Sequence, residues 1–514
     1  FDQNENFKFD NANTGYLNLL LVIVAPTLLG YLVHYRAPHL SPFRLKVPKL
    51  TIRRGAFLSR YPDWLLLVAV GLLVRLPRMT EVMWYDETFS AAIARVPLER
   101  LPVAIMGDVH PPLNYLLQWF TVNVLGDSAI ALRLPSLLAG IALILLMYQL
   151  TRALGLSRRA ARAAGLMTAL MPAAIYYSNE ARAYALLACL VLVMVIAVLK
   201  NKPRWYWIAG ALIPWTHNIG FIYVGVIGLT ALLYRPKRRW FRAVVASGIG
   251  GAVWLPAMLI QSVDVANGFW LWQLDLGGMF KHVTSMTVSN RLDIPYLIPV
   301  YALLIGLLVV SLLELRYTKR WLVWLALVAG VPLALAVVSV VWRPVYLERA
   351  LLPAGLALIV PIAWLASERR AARLASVLLI GISLTGFFAP SGAKYDTTQV
   401  FDQCSGADFI FYTSPSTAIM GQTYAPPGAD QLLWGQANDL SQTLPDDAKA
   451  TLGLHSWDQL DRLAGDICIP TQVNPMVSDH ETEFLTAALA GLDVTTYETV
   501  VNDTFAFVVY RFQQ

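Results

Sequence analysis

The sequence is short of charge. Asp, Glu, Lys and Arg make up only 14% of its 514 residues, against 57% hydrophobic ones, whereas soluble domains carry about 25% charged residues. With a mean hydropathy of +0.54, the composition calls for lipid and excludes an ordinary soluble globule, so the chain reads as a multi-pass membrane protein. It has no metal-ligand spacing of the HExxH kind and no glycine-rich phosphate loop, so nucleotide binding has no support. No signal peptide with a small-residue cleavage site is visible. The first residue is Phe1 rather than Met, as in a processed or incomplete start. Cysteine is scarce as well, with three in the chain. Cys189 falls in an apolar run, where inert packing accounts for it. Cys404 and Cys468 fall in the polar tail, where oxidation is open to them, and a disulfide between them is expected.

The charge that is present is unevenly placed. Residues 390–514 hold sixteen Asp/Glu and four Lys/Arg, a balance of −12, so the remainder carries +19 of the net +7. That excess is no nucleic-acid patch. It is dispersed over short loops at 36–60, 152–162, 200–204, 235–242, 316–320 and 369–373, which hold 25 of the 40 Lys/Arg. Positive loops stay cytoplasmic, which places the acidic tail on the other side.

A leading span at 16–35 and the basic loop 36–60 precede a run, 62–76, that returns outward. Further spans read at 129–150, 163–177, 184–199, 205–217, 219–234, 243–260, 295–314, 321–341, 350–366 and 372–389. That makes about twelve crossings, with every basic loop on one side. The run 113–125 is too short to span and is laid along the outer surface. Its Asn114, Gln118 and Thr121 fall at i, i+4 and i+7, a polar stripe on one helical face. The aromatic loop 261–294 (Phe269, Trp270, Trp272) reads as a lid or as part of an interfacial belt. From Pro390 the pattern is that of a small α/β domain. Residues 407–412 form a strand, Ser456 with Gln459 and Ser478 with Glu481 have capping-box spacing ahead of short helices, and 497–501 with 505–512 form a terminal hairpin. Asn502-Asp503-Thr504 matches a glycosylation sequon, a pattern common by chance. Three units follow: 1–61, 62–389 and 390–514.

The remaining polar residues gather where the outward runs end. Trp84-Tyr85-Asp86-Glu87 follows the first, and Asp108-Val109-His110-Pro111-Pro112 comes just over twenty residues later. Tyr177-Ser178-Asn179-Glu180-Ala181-Arg182-Ala183-Tyr184 forms one outer turn, Trp215-Thr216-His217-Asn218 another, and Trp342-Arg343-Pro344-Val345-Tyr346-Leu347-Glu348-Arg349 a third. Ionisable groups at a membrane boundary lose hydration and mark function by default. Each has a plainer reading. Asp86 and Glu87 could cap a helix in a wet loop, Glu180 and Arg182 could tie two helix ends, Arg343 and Arg349 could anchor at the interface, and His217 could be a satisfied turn residue. Their convergence on one side favours a shared cavity. A carboxylate there can take a proton from a hydroxyl or amine nucleophile, and an arginine can hold a phosphate and stabilise its departure.

The three motifs, in this order and at these positions, resemble GT-C glycosyltransferases. The likeness is greatest to the branch of the protein O-mannosyltransferases (glycosyltransferase family 39) and the lipid A aminoarabinose transferase, and it covers roughly 62–390. It implies a mostly α, polytopic helical bundle and a polyprenyl-phosphate sugar donor used with inversion; the α/β tail 390–514 is a different outer domain, outside the resemblance. It implies Asp86 as the base, Glu87 and Asp108 as accompanying catalytic carboxylates, His110 as the histidine of the "DxHPP" motif and Arg182 as the arginine of the "EAR" turn. Arg349 matches, more loosely, an arginine near the donor phosphate. Glu180, Tyr184, His217 and Tyr346 are added as substrate-binding residues from the same turns. The "HPPLGK" pattern of the O-mannosyltransferases is not kept, because Asn114-Tyr115 follows Leu113 here.

The reading is thus an integral-membrane transferase that moves a sugar from a lipid phosphate to an extracytoplasmic protein, glycan or lipid. The sequence names no cofactor and leaves a divalent metal open. Its partners are the donor lipid, the bilayer and the acceptor, with no nucleic acid. Two other readings are a non-catalytic scaffold in a membrane complex and a lipid-phosphate flippase. A flippase would need polar groups at the bilayer midplane rather than at one face.

Overall fold

The computed structural model describes residues 62–264, 294–388, 396–435, 446–457, 460–474, 479–500 and 506–514. The expected span at 16–35, the loop 36–60, the aromatics at 269–272, Gln459, Ser478 and the sequon at 502–504 lie outside the described residues.

The body is a helical bundle with one extended hydrophobic core running from Ala139 to Phe387. Three of the described helices are long and apolar enough to cross a membrane: Ala129–Ala153, Trp321–Val341 and Glu348–Glu368. Counting Arg238–Ala252 with Leu255–Ser262, bent by 45°, makes a fourth. The count of about twelve crossings is not reached on this measure, because most of the expected runs fold into shorter helices. Asp63–Arg75, Pro203–Thr216, Gly220–Tyr234 and Tyr184–Leu199 have 13, 14, 15 and 16 residues.

The expected span at 163–177 is in fact two helices, Arg158–Leu170 and Pro172–Ser178. Pro172 forces Met171 out of the helical region (ψ 127°), which strands the carbonyls of Thr168 and Ala169. The guanidinium of Arg75 fills the gap, with Nη1 2.8 Å from Ala169 O, Nη2 3.5 Å from Thr168 O and Nε 3.0 Å from Ser178 Oγ. A buried arginine with no carboxylate beside it among the described residues is here a patch for a broken helix. Ser178 sits so close to the helix Ala129–Ala153 that a Cβ on Gly140 would lie 1.9 Å from its Oγ. The break and this contact set where the turn after Ser178 begins.

The helix Pro112–Leu125 starts on a proline whose missing N–H costs nothing at that position. Its polar stripe points inward, with Asn114 and Gln118 buried, while Leu116, Phe120, Val124 and Leu125 are exposed. The amphipathic helix is inside out relative to one on a soluble protein, as suits an apolar surrounding.

From Thr398 the chain builds a six-stranded sheet, β1 Phe409–Tyr412, β2 Asp430–Trp434, β3 Ser456–Trp457, β4 Asp466–Asn474, β5 Thr495–Val500 and β6 Ala506–Gln513, in the order β3-β2-β1-β4-β6-β5. β1 to β4 pair in parallel, and β6 pairs antiparallel with β4 and β5. The strand expected at 407–412 and the terminal hairpin are both present. Ser456 opens no helix but lies in β3, because its backbone pairs with Leu433. Cys404 and Cys468 are joined by a disulfide, Cα–Cα 5.5 Å, and Cys189 is free and buried. Protein isolated without reductant and then denatured should therefore alkylate at Cys189 alone; three alkylated cysteines in the mass spectrum would contradict the bond.

The α/β unit is not a pendant. Phe89, Ile93, Val96, Leu101 and Ile105 share one hydrophobic core with Val400, Phe401, Ile410 and Phe411. The segment after Trp84 and the tail therefore lie at the same end of the bundle. The basic loops meet one another elsewhere: Arg158 and Arg162 each lie 2.6 Å from Asp63, Arg320 reaches Ala153 O, Arg235 reaches Leu199 O and Arg369 pairs with Glu314. The helix Tyr184–Leu199 runs from one cluster to the other, about 24 Å at 1.5 Å per residue.

Candidate active site

Asp86 stands in the first turn of the helix Tyr85–Arg95, entered from an extended Trp84. A carboxylate is favoured there by the unpaired N–H groups of the helix start. Its side chain is 15% exposed, and Oδ2 lies 3.0 Å from Arg349 Nη1 and 3.6 Å from Arg182 Nε. No protein group is bonded to Oδ1 among the described residues. Two cations thus bracket one carboxylate. They arrive from different elements, Arg182 from the turn after the broken helix and Arg349 from the short 3-10 turn Glu348–Leu351. The next residue, Ala350, is pinned by Tyr223, whose hydroxyl donates to its carbonyl at 2.8 Å.

Arg182 is the hub. Nη1 lies 3.4 Å from both Asp86 O and Tyr115 Oη, and Nη2 lies 3.2 Å from His110 Nε2. His110 Nδ1 is 2.9 Å from Asp108 Oδ2, an oxygen that also accepts from the Tyr115 hydroxyl. Arg182 Nη2 is also 3.3 Å from His110 Nδ1, and because a carboxylate only accepts, the Nδ1 that faces Asp108 carries a proton. Burial alone would raise the Asp108 carboxyl. His110 and Arg182 beside it outweigh that and hold it well below the usual carboxylate range. Gln261 fixes the Asp108 backbone carbonyl at 2.5 Å, and Asn218 donates to Val109 O at 2.9 Å.

Aromatic rings line the rest. The Arg349 guanidinium lies 5.8 Å from the Trp84 ring and 5.6 Å from that of Tyr184, within cation–π range. Tyr184 and His110 each have a ring centroid 5.8 Å from that of His217. His217 Nδ1 accepts the Ile219 N–H at 3.3 Å, so its proton sits on Nε2. That N–H is buried and has no partner among the described residues. Glu180 does not pair with Arg182 through its side chain; it accepts from Trp84 Nε1 at 3.1 Å and from the Tyr176 hydroxyl at 3.5 Å.

Glu87 departs from expectation. Both of its oxygens are taken by Arg133, at 2.7 and 2.8 Å, and Oε1 also accepts the Ala181 N–H at 2.8 Å. Neither side chain of this pair has any exposure. Glu87 therefore braces the loop rather than sharing in chemistry beside Asp86. Tyr346 is buried in the same hydrophobic core as Tyr184, whose ring borders the polar cluster around Arg182 and Arg349. Arg343 reaches Ser262 O at 3.4 Å and is no part of that cluster.

Arg133, Tyr115 and Trp84 were not anticipated as site residues. An arginine inside an otherwise apolar run signals a buried partner, and Arg133 carried that signal. Tyr115 stands where the O-mannosyltransferase pattern has a lysine, and its hydroxyl serves Asp108. Among the described residues no three His, Cys, Asp or Glu side chains converge as metal ligands.

Comparison with known proteins gives the following similarities. Residues 109–261 match the family model described as dolichyl-phosphate-mannose-protein mannosyltransferase. ArnT from Cupriavidus metallidurans, in a crystal structure bound to undecaprenyl phosphate, superposes with a TM-score of 0.51 at 14% identity, covering 87% of this chain and 97% of that one. The archaeal oligosaccharyltransferase AglB from Archaeoglobus fulgidus, in complex with an inhibitory peptide and a dolichol-phosphate, gives a TM-score of 0.48 at 10% identity over 80% of this chain and 69% of that one. No curated protein sequence matches the chain. The fold is therefore similar to that of ArnT, and the stretch matched by the mannosyltransferase family model takes in His110, Arg182 and His217.

Proposed function

We propose that this GT-C-type chain transfers a sugar from a polyprenyl phosphate to an acceptor on the side of the membrane away from the cytoplasm. One observation carries the reading: the Asp86 carboxylate is bracketed by Arg349 and Arg182 at the seam between the helical bundle and the α/β unit. The basic loops cluster at the far end of the helices, and the positive-inside rule puts that end in the cytoplasm.

The chemistry follows from the inventory. Arg349, Arg182 and the His217 Nε2–H are three donors suited to a phosphate. As the phosphate draws the arginines toward itself, Asp86 is released to accept a proton. The acceptor hydroxyl oxygen bonds to the anomeric carbon, the bond from that carbon to the phosphate oxygen breaks on the opposite face, and the hydroxyl proton passes to Asp86. The leaving group is polyprenyl phosphate, its charge held by the two guanidinium groups. Asp108 acts at one remove, aiming Arg182 through His110.

The binding half of this reading is tested with the product. Purified protein in lipid nanodiscs should bind polyprenyl phosphate and not the neutral polyprenol. Arg349→Ala should weaken the phosphate at least roughly tenfold, the scale of one charge-assisted contact. His217→Ala should weaken it less. Equal binding of the two lipids, or no effect of Arg349→Ala, would remove the phosphate role.

A further inference from the structure

The backbone from Met79 to Met83, just ahead of Asp86, belongs to neither a helix nor a strand. Two side chains serve most of its carbonyls and the N–H of Met83. Arg133 takes the carbonyls of Met79, Glu81 and Val82 at 3.0, 2.7 and 3.0 Å. The other is Tyr424, 341 residues away, at the end of the helix Pro415–Tyr424 in the α/β unit. Its hydroxyl accepts the Met83 N–H at 2.6 Å and donates to the Met83 carbonyl at 2.8 Å. Its ring is held near Phe401 in the shared core, centroids 6.4 Å apart. A phenol has one proton to give and lone pairs to accept with, and both functions are spent on this one residue.

We infer that Tyr424 is a positioning residue for the reaction: through Met83, three residues before Asp86, it makes the α/β unit part of the active site rather than an appendage. The inference rests on the transferase reading above. Trp84, between the clamp and Asp86, is the residue from which the chain turns into the helix. Any shift of Met83 therefore re-aims both the Trp84 ring beside Arg349 and the carboxylate at 86. Misplacement of about 1 Å is enough to cost a large factor in rate.

Tyr424→Phe removes the hydroxyl and keeps the ring in the core. Thr423→Val is the control, since it removes only the Arg95 Nη1 contact at 3.3 Å on the same helix. Hydrogen exchange over residues 79–86 should quicken in Tyr424→Phe and stay at the wild-type rate in Thr423→Val. With a lipid-linked sugar as substrate, Tyr424→Phe should lose roughly tenfold or more in kcat at unchanged donor KM, while Thr423→Val keeps both. Wild-type exchange and kcat in Tyr424→Phe would overturn the inference. So would matching changes in both variants, which would mean a generally loosened interface. If the wild-type chain turns over no donor, the transferase reading fails, and the exchange measurement still decides whether Tyr424 clamps the loop.

Discussion

Replacing Asp86 with asparagine will lower transfer by roughly a hundred- to ten-thousandfold, the range that a positioned general base supplies, while the protein still folds. Folding is expected to survive because Asp86 is partly exposed and the Glu87–Arg133 brace beside it is untouched. Asparagine matches the shape but can neither take the acceptor proton nor neutralise the two arginines. Arg349 and Arg182 then face an incoming phosphate with no competing carboxylate, so donor binding should hold or tighten as kcat collapses. This split separates a lost base from a damaged pocket, which would raise KM as well. Normal turnover in the variant would reject the base assignment; loss of donor binding with loss of rate would make Asp86 a structural counter-ion only.

Arg133→Leu will be the most destabilising single change at the site. It leaves the Glu87 carboxylate buried without its partner, a defect worth about 3–5 kcal/mol, and strands the carbonyls of Met79, Glu81 and Val82. Lysine should not restore it, since an ammonium cannot reproduce two parallel bonds to one carboxylate while reaching three carbonyls. Adding Glu87→Leu to Arg133→Leu should recover part of the loss, because the unpaired charge and not the missing attraction dominates the penalty. Cys189 supplies the readout: it is buried and free, so a thiol-reactive dye follows unfolding on heating. Arg133→Leu should melt several degrees lower and the double variant in between. A single variant with the wild-type midpoint would show that the pair is not a brace.

Much of this site could be read from the residues. Asp86, His110, Arg182 and Arg349 come together, and each stands at the edge of an apolar run, where a polar group has little other reason to be. Glu87 was misread because adjacent carboxylates look alike in a sequence. Helical geometry turns neighbours about 100° apart, so Asp86 meets the arginines from other elements while Glu87 faces the arginine inside the bundle. One expected span, 163–177, is broken at Met171-Pro172: hydropathy runs unbroken through the pair, but the helical backbone does not. Tyr424 had no local signal at all. Its partner lies 341 residues away, and nothing around it announces a clamp.

Everything proposed here for Asp86 and the two arginines requires that the chain cleave the bond between a sugar and a lipid phosphate. The most direct measurement supplies purified protein in nanodiscs with a panel of polyprenyl-phosphate sugars and follows the lipid products by chromatography. Free polyprenyl phosphate should be released from at least one donor by the wild-type chain, and none above background by Asp86→Asn. Intact donor across the whole panel, or equal release by the variant, would contradict it.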